Sequence, residues 1–393
     1  MDSFTSTRSS SNSGGSSISL GRPRPSIHQS FDYAFAVGRQ RSSCALLQSY
    51  SEELSETTST DETRPSLSRR NSWANGKNLS ATTDLDSMDS YSFDASSYLF
   101  PLCQLSEVDH RLRHLDLTTI RSLEPLTSGS NSELFRGEYK GRPVVVKMVS
   151  ERESQNEMAL LEFDTELELL QRCSHPNIMG FIGAGAVPRR FIVLDHLSGG
   201  TLSDRLLEGG GSRSPPNLAD TLKIGIQLAD ALDYLHHRFH PQACIIHRDI
   251  KPENIGFSSN GSIVLFDFGL SACVRKFHCS ISKYEMSGCT GSLRYMAPEV
   301  ALGMAYNHKV DVYSYAMVIW QTATGKIPFN GASKNDYVRY VVRGGMRPLL
   351  SSLWPKAFGD ILSRAWDQNI DIRPEFSEIQ SIFKDLSDKL NIS

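Results

Sequence analysis

The sequence predicts an α+β fold, with strand-length apolar runs and helical segments behind a disordered tail. Residues 1 to about 100 are dominated by serine and keep neither helical nor strand periodicity. Apolar runs of strand length begin near Leu117, whereas residues 158–172 and 219–235 repeat apolar residues at the spacing of a half-buried helix. The 393 residues leave room for one large two-lobed domain with extra segments, or for two ordinary domains.

Composition excludes several classes of function. The net charge of −3 and the hydrophobic fraction of 39% are typical of a soluble globular protein without a general attraction to nucleic acid or membrane. No apolar run approaches the ~20 residues that a membrane span requires. The seven cysteines are scattered without a Cys-x-x-Cys pair, so they predict neither a disulfide framework nor a zinc site. We therefore expect a soluble cytoplasmic protein in a reducing compartment.

Residues 1–100 form the predicted disordered, serine-rich regulatory tail, because this composition buries too little apolar surface to offset the entropy lost on ordering the backbone. The first fifty residues are rich in Ser and Arg, which partly fits an organelle transit peptide, but Asp2 and Asp32 argue against one. Arg69 and Arg70 precede Ser72, an arrangement typical of basophilic kinase substrates and equally expected by chance in such a tail. Apolar residues return in 101–116, a lead-in segment.

The region from Leu117 to about residue 197 combines strands with one helix. A polar turn separates the apolar ends Leu126 and Leu134, and the valine strand 144–147 then closes on Lys147. The helix 158–172 follows, and 191–197 is a further strand-length apolar run. A lone lysine that closes a valine strand is usually an edge residue, so the significance of Lys147 depends on its neighbours.

Two polar loops stand out farther along the chain. Residues 247–254 read His-Arg-Asp-Ile-Lys-Pro-Glu-Asn and lie between apolar residues, as a loop between two buried strands would. Its carboxylate, ammonium and carboxamide (Asp249, Lys251 and Asn254) must therefore face something charged. Eighteen positions after Asp249, an apolar run ends in Asp267-Phe268-Gly269.

These loops resemble the catalytic loop and the metal-binding loop of the eukaryotic protein kinases. The resemblance covers residues 117–388 and implies a small lobe of antiparallel strands with one long helix (about 117–194) and a large, mainly helical lobe (about 198–388). It implies an ATP-dependent transfer of phosphate to a Ser or Thr hydroxyl of a protein, with Mg²⁺ as cofactor. The Asp311-Val312-Tyr313-Ser314 run, Trp320 and Trp366 resemble the tyrosine-kinase-like branch of serine/threonine kinases.

The resemblance also implies the catalytic residues. Asp249 would orient the attacking hydroxyl and accept its proton, and Lys251 would neutralise the phosphate in transfer. Asn254 and Asp267 would supply oxygen ligands for Mg²⁺. Lys147 would contact the α- and β-phosphates and pair with a helix carboxylate, for which the family position favours Glu166. The sequence alone does not exclude Glu162 or Glu168.

The predicted nucleotide pocket departs from the family pattern. Of the three glycine positions of the phosphate hairpin, two hold Thr127 and Ser132, and only Gly129 remains, so we expect reduced nucleotide affinity. The other residues that the resemblance assigns to the nucleotide are Leu134, Val145, Asp195, Leu197 and Gly256. Val145 replaces a small roof residue and Gly256 a bulky floor residue, so the two changes compensate each other, or Gly256 is a bulge without bearing on the ligand.

The activation segment, residues 267–299, carries the candidate regulatory sites. Arg248 resembles the arginine of kinases activated by phosphorylation in this segment by an upstream kinase, with Thr290 or Ser287 as the acceptor. The resemblance further implies that Ser292 lines the substrate groove. It pairs Glu299 with Arg373, places Asp311 against the backbone of the catalytic loop, and makes His247 a packed core residue beside Phe268.

Two other functions compete with this interpretation. A pseudokinase would keep the fold as a binding or scaffolding module with weak or no turnover, which the glycine-poor hairpin favours and the intact Lys147, Asp249, Asn254 and Asp267 oppose. A partner-binding role of the serine-rich tail would add to catalysis rather than replace it.

Overall fold

The computed structural model describes residue 100 and residues 114–129, 131–208, 217–276 and 283–390. The predictions of a disordered tail over 1–100, of a Ser72 phosphorylation motif and of a lead-in segment over 101–116 fall mostly or wholly outside these residues. The predicted arrangement of a small antiparallel lobe before a large helical lobe is confirmed.

The small lobe is built on one antiparallel sheet with the strand order β1-β2-β3-β5-β4. Its strands are β1 (Arg121–Ser128), β2 (Ser132–Tyr139), β3 (Arg142–Val149), β4 (Phe181–Gly185) and β5 (Phe191–Asp195). Helix α1 (Glu157–Leu170) follows β3, and the Asn156 side chain caps it by accepting from the backbone N–H groups of Met158 and Ala159. Lys140 and Gly141 both adopt left-handed backbone conformations, which makes the tight β2–β3 hairpin possible.

Alternation along β3 places Lys147 on the face that leads to the site. Val144 and Val146 pack with the outer cluster of the sheet, which includes Phe191 and Val193. Val145 and Val149 point to the opposite face and join the main core. Because side chains of a strand alternate with a period of two, Lys147 shares the inner face with Val145 and Val149, toward α1.

The large lobe consists mainly of helices. These are α2 (Leu202–Glu208), α3 (Leu218–Asp233), α4 (Pro298–Ala301), α5 (Lys309–Thr324), α6 (Lys334–Asp336), α7 (Lys356–Ala365) and α8 (Phe376–Lys389). The π-helical turns Tyr234–Arg238 and Tyr337–Arg343 extend α3 and α6. Helix α5 is buried along almost its whole length, so the other helices pack around it. None of the helices among the described residues combines the length and apolar character needed to cross a bilayer.

Two short antiparallel pairs of strands hold the loops of the large lobe. Strand β6 (Ala243–Ile246) pairs with β9 (Ala272–Arg275), and β7 (Ile255–Phe257) pairs with β8 (Ile263–Leu265). The 247–254 loop therefore runs from β6 to β7 between buried strands, as its sequence predicts. Asp267 follows the end of β8, so both polar loops emerge at the same edge of the lobe.

A buried ion pair ties the C-terminal part of the large lobe together. The Arg373 guanidinium donates to both carboxylate oxygens of Glu299, at 2.6 and 2.9 Å, and lies over the ring of Tyr313. Arg373 is 1% exposed, so removal of either partner would leave a buried charge alone, at a cost of about 3–5 kcal/mol.

Candidate active site

The ammonium of Lys147 contacts two carboxylates from distant parts of the chain. It donates to Glu166 on α1 and, at 3.2 Å, to Oδ1 of Asp267. Glu162, on the same helix, accepts instead from the side chain of Asn131 at 3.0 Å. Of the acidic residues that the sequence leaves open, Glu166 is therefore the one that contacts Lys147.

Electrostatics fixes the charges of this group. Burial lowers the pKa of Lys147, but the carboxylates of Asp267 and Glu166 outweigh burial and hold that pKa above its usual value. Burial raises the pKa of Asp267, but Lys147 and Lys251 outweigh it and keep that pKa below its usual value. Lys147 therefore remains cationic and Asp267 anionic at neutral pH. The Asp267 side chain is 39% exposed, so it contacts the ammonium and is also partly accessible to solvent.

Asp249 is held at both of its oxygens. Oδ2 accepts from the ammonium of Lys251 at 2.6 Å and from the carboxamide of Asn254 at 3.2 Å. Oδ1 accepts from the backbone N–H and the hydroxyl of Ser292, both at 2.9 Å. The carboxamide of Asn254 also donates to the carbonyl of Asp249 at 2.9 Å, which turns the loop back on itself. Asp249 can thus bind a hydroxyl group, since it already accepts a hydrogen bond from the hydroxyl of Ser292.

The backbone of the loop is supported from below by α5. The Asp311 carboxylate accepts the N–H groups of His247 and Arg248 at 2.8 and 2.9 Å, and it also contacts His236 at 2.9 Å. Arg248 has a left-handed φ of 67°, an uncommon conformation that these hydrogen bonds stabilise. The buried ring of His247 packs on Phe268 at 4.9 Å between centroids, and burial lowers its pKa, so His247 is a neutral packing residue.

Arg248 connects the loop to the activation segment. Its Nη1 lies 3.1 Å from the hydroxyl of Ser287 and 3.2 Å from that of Tyr306, while its Nε donates to the carbonyl of Leu270 at 2.6 Å. The hydroxyls of Ser287 and Thr290 lie 3.1 Å apart. A phosphate on Ser287 would therefore adjoin the guanidinium, and one on Thr290 would lie beside it.

The glycine-poor hairpin is formed by the ends of β1 and β2. Thr127 belongs to β1 and Ser132 to β2, so both have the extended backbone that any residue adopts. Gly129 lies in the turn, where its N–H donates to the carbonyl of Ser132 at 2.8 Å. The contact between Asn131 and Glu162 joins this turn to α1. The hairpin thus forms without glycine at two of the three family positions.

The remaining nucleotide candidates line the junction of the lobes. Leu134 and Val145 are buried on the inner face of the sheet, and Leu134 pairs directly with Lys147 across the β2–β3 ladder. The strand predicted over 191–197 ends at Asp195, whose side chain points to the outer face and lies 3.6 Å from Arg142. The Asp195 side chain therefore lies on the face opposite to Leu134 and Val145, and its backbone N–H donates to the carbonyl of Gly180 at 3.1 Å.

Gly256 and Leu197 are in close contact. A Cβ atom built on Gly256 would lie 2.5 Å from Cδ1 of Leu197 and 3.1 Å from the ring of Phe266. The side chain of Leu197, which is 3% exposed, thus occupies the space next to the glycine. Gly256 lies in β7 in register with Val264, which makes it a site of close packing rather than a bulge.

Several contacts at the site carry no local signal in the sequence. Tyr306 bonds both Arg248 and the carbonyl of Ser287, although it lies 58 positions from the arginine. His236 supports Asp311 from a distance of 75 positions. The arrangement as a whole brings together two ammonium groups, three carboxylates and a carboxamide, which suits binding and transfer of a polyanionic group.

Comparisons with known proteins show which family this chain resembles. The model of the family described as protein tyrosine and serine/threonine kinase matches residues 120–383. The serine/threonine/tyrosine-protein kinase HT1 of Arabidopsis thaliana is 30% identical over 326 residues, which cover 81% of this chain and 80% of HT1. The serine/threonine-protein kinase VIK of Arabidopsis thaliana is 34% identical over 254 residues, 64% of this chain and 56% of VIK.

A human protein kinase is also similar to this chain. The serine/threonine-protein kinase TNNI3K of Homo sapiens is 32% identical over 269 residues, which cover 68% of this chain and 31% of the relative. Apart from HT1, the chain spans less than two thirds of the length of these curated relatives.

Proposed function

Because this chain belongs to the protein tyrosine and serine/threonine kinase family, we propose that it transfers the γ-phosphate of ATP to a Ser or Thr hydroxyl of a protein substrate. The relatives named as serine/threonine-protein kinases support the acceptor class. HT1 and TNNI3K support the tyrosine-kinase-like branch. The observation that carries the proposal is the convergence of Lys147 with Glu166 and Asp267, the latter 120 positions away.

We assign the chemistry to Asp249 and Lys251. Asp249 accepts a hydrogen bond from the Ser292 hydroxyl at 2.9 Å, and a substrate hydroxyl at this position would be oriented and would lose its proton to the same carboxylate. Lys251 lies 2.6 Å from Asp249, where its charge offsets the negative charge that develops on the transferring group.

Lys147 and Glu166 act as a positioning pair in this proposal. The buried Glu166 holds the ammonium of Lys147, which is 12% exposed, at the edge of the cleft where nucleotide phosphates would lie. The β1–β2 turn that contains Gly129 would face the phosphates. Leu134, Val145, Leu197 and Gly256 would enclose the base, with the backbone of Asp195 at its edge.

Protein kinases use Mg²⁺ with ATP, and the donor set suits this ion. The carboxamide nitrogen of Asn254 donates to Asp249, which leaves the carboxamide oxygen Oδ1 of Asn254 for a cation. Asp267 is half-buried, and its Oδ1 accepts from Lys147, so Oδ2 is the oxygen that would bind the ion. Oxygen ligands of this kind are those that Mg²⁺ prefers, and the bound ion would neutralise phosphate charge.

We also propose that the protein works in the cytoplasm and responds to an upstream kinase. The thiols of Cys173, Cys244 and Cys273 are not in disulfides, which supports a reducing compartment. The position of Arg248 beside Ser287 supports activation by phosphorylation of the activation segment.

Mass spectrometry of the full chain and a generic protein substrate after incubation with ATP and Mg²⁺ tests the proposal. We expect phosphate on Ser and Thr, and its loss in the variant Asp267→Ala. Equal phosphate in parent and variant, or none in either, would favour the scaffold function, and phosphate mainly on Tyr would contradict the acceptor class.

A further inference from the structure

Three potential metal ligands meet on the side of the large lobe, outside the candidate active site. His237 lies in the π-helical turn after α3, His308 directly precedes α5, and Glu375 directly precedes α8. One ligand atom from each lies within 4.8 Å of the others. Nε2 of His308 is 3.0 Å from Oε2 of Glu375, and Nε2 of His237 is 3.6 Å from the same oxygen.

We propose that His237, His308 and Glu375 form a binding site for a divalent transition metal of the zinc class. Zinc bonds to imidazole nitrogen and carboxylate oxygen are about 2.0–2.2 Å long, so neighbouring ligand atoms of a tetrahedral ion stand roughly 3.3 Å apart. The distances of 3.0 and 3.6 Å lie on either side of this value. Two imidazoles and one carboxylate with a water molecule complete a tetrahedral set.

A second layer of residues orients the ligands. Nδ1 of His237 lies 3.2 Å from Oδ1 of Asp233, which favours a proton on Nδ1 and leaves the Nε2 lone pair for a metal. The ammonium of Lys309 lies 2.6 Å from Oε1 of Glu375, so it fixes this carboxylate and leaves Oε2 toward the histidines. Hydrogen-bonded imidazoles and carboxylates of this kind are the usual surroundings of a metal site.

The charges around the cluster permit a cation. The Glu375 carboxylate lies 2.6 Å from the ammonium of Lys309 and 3.0 Å from the imidazole of His308. The nearby cations Lys309 and Arg238 are balanced by Glu375 and Asp233. The ring of His236 packs against that of His308, with the centroids 4.9 Å apart. The His237 side chain is 41% exposed, which gives an ion access from solvent.

An ion at this position would join the end of α3 to the starts of α5 and α8. Asp311, three positions after His308, holds the backbone of the 247–254 loop. Metal binding would therefore stabilise the part of the large lobe on which that loop rests. This role is independent of the proposed phosphate transfer.

Titration of the metal-free full chain with Zn²⁺, against a chromophoric zinc indicator and in a phosphine reductant, tests the site. We expect one ion per chain and a rise of several degrees in the thermal midpoint. His237→Gln and Glu375→Gln should each weaken binding about tenfold or more, and Asp233→Asn about 10–100-fold. His114→Gln, an exposed histidine of the small lobe, is the matched control and should bind like the parent.

Because Glu375→Gln also removes an ion pair with Lys309, the exposed His237 provides the decisive variant. The thermal midpoint of metal-free His237→Gln should match that of the metal-free parent. Absence of stoichiometric binding, or an unchanged affinity in His237→Gln, would overturn the proposal, and in the second case would assign the zinc to other groups such as thiols.

Discussion

The loops of the large lobe and the hairpin of the small lobe face the same proposed nucleotide, but they are built differently. The 247–254 loop presents side chains, and each functional group is fixed by hydrogen bonds such as those at both oxygens of Asp249. The β1–β2 hairpin presents mainly backbone, and its ends are ordinary strand residues. Side-chain chemistry requires particular residues, whereas a backbone donor tolerates substitution. The family pattern is accordingly complete in the loops and reduced to Gly129 in the hairpin.

The largest effect should follow from changes to the large-lobe carboxylates. We expect Asp249→Asn and Asp267→Asn each to reduce kcat by about 10²–10⁴-fold, because each removes a charge that acts on the transferring phosphate. Asp385→Asn on the exposed face of α8 is the control and should keep full activity. Steady-state kinetics measures kcat, and thermal melting checks that each variant is folded. A kcat near that of the parent in a folded Asp249→Asn protein would remove this residue from the catalytic assignment.

Phosphorylation of the activation segment should have the next largest effect. A phosphate on Ser287 would pair with Arg248, which has no carboxylate partner among the described residues, and such pairing shifts a conformational equilibrium by roughly 5–150-fold. We expect phosphatase treatment to lower kcat/KM by a factor in this range.

The variants Ser287→Ala, Thr290→Ala and Arg248→Gln identify the groups involved. Ser287→Ala should remove most of the phosphatase effect, and Arg248→Gln should make the phosphorylated protein behave like the unphosphorylated one. If the double alanine variant keeps the phosphatase effect, another site is responsible.

A smaller effect is expected at the floor of the proposed pocket. Gly256→Leu would force a side chain into the space of Leu197, and such overpacking costs about 1–3 kcal/mol of unfolding free energy. We expect weaker ATP binding as well, because the displaced leucine would enter the cleft. Denaturant unfolding and ATP affinity measure the two consequences.

A second substitution added to Gly256→Leu identifies the residue whose size compensates for the glycine. Leu197→Ala should rescue Gly256→Leu, whereas the sequence alone points to Val145→Ala as the rescuing change. Rescue by Val145→Ala and not by Leu197→Ala would restore the roof-and-floor compensation expected from the sequence.

The smallest effect should come from restoring the family glycines. Since Thr127 and Ser132 are extended strand residues, Thr127→Gly and Ser132→Gly should change the KM for ATP by less than about threefold. Each glycine should instead destabilise the strand by roughly 0.5–1 kcal/mol. An improvement in KM of tenfold or more would show that residue identity matters in the hairpin as much as in the loops.

The sequence by itself determined the fold class and the two polar loops. Strand and helix periodicity are local, so the valine run of β3 and the apolar face of α3 predict their elements within a few residues. The residues of the 247–254 loop are adjacent in the chain, so their identities indicate a charged target, and their resemblance to the catalytic loop of protein kinases implies phosphate chemistry.

Only the tertiary structure decided which distant residues meet. It selects Glu166 rather than Glu162 beside Lys147, places Tyr306 against Arg248, and fills the space at Gly256 with Leu197. It also brings His237, His308 and Glu375 together across 138 positions of sequence. Such contacts depend on how helices and strands pack against one another, and the periodicity of a single segment contains no information about its partner.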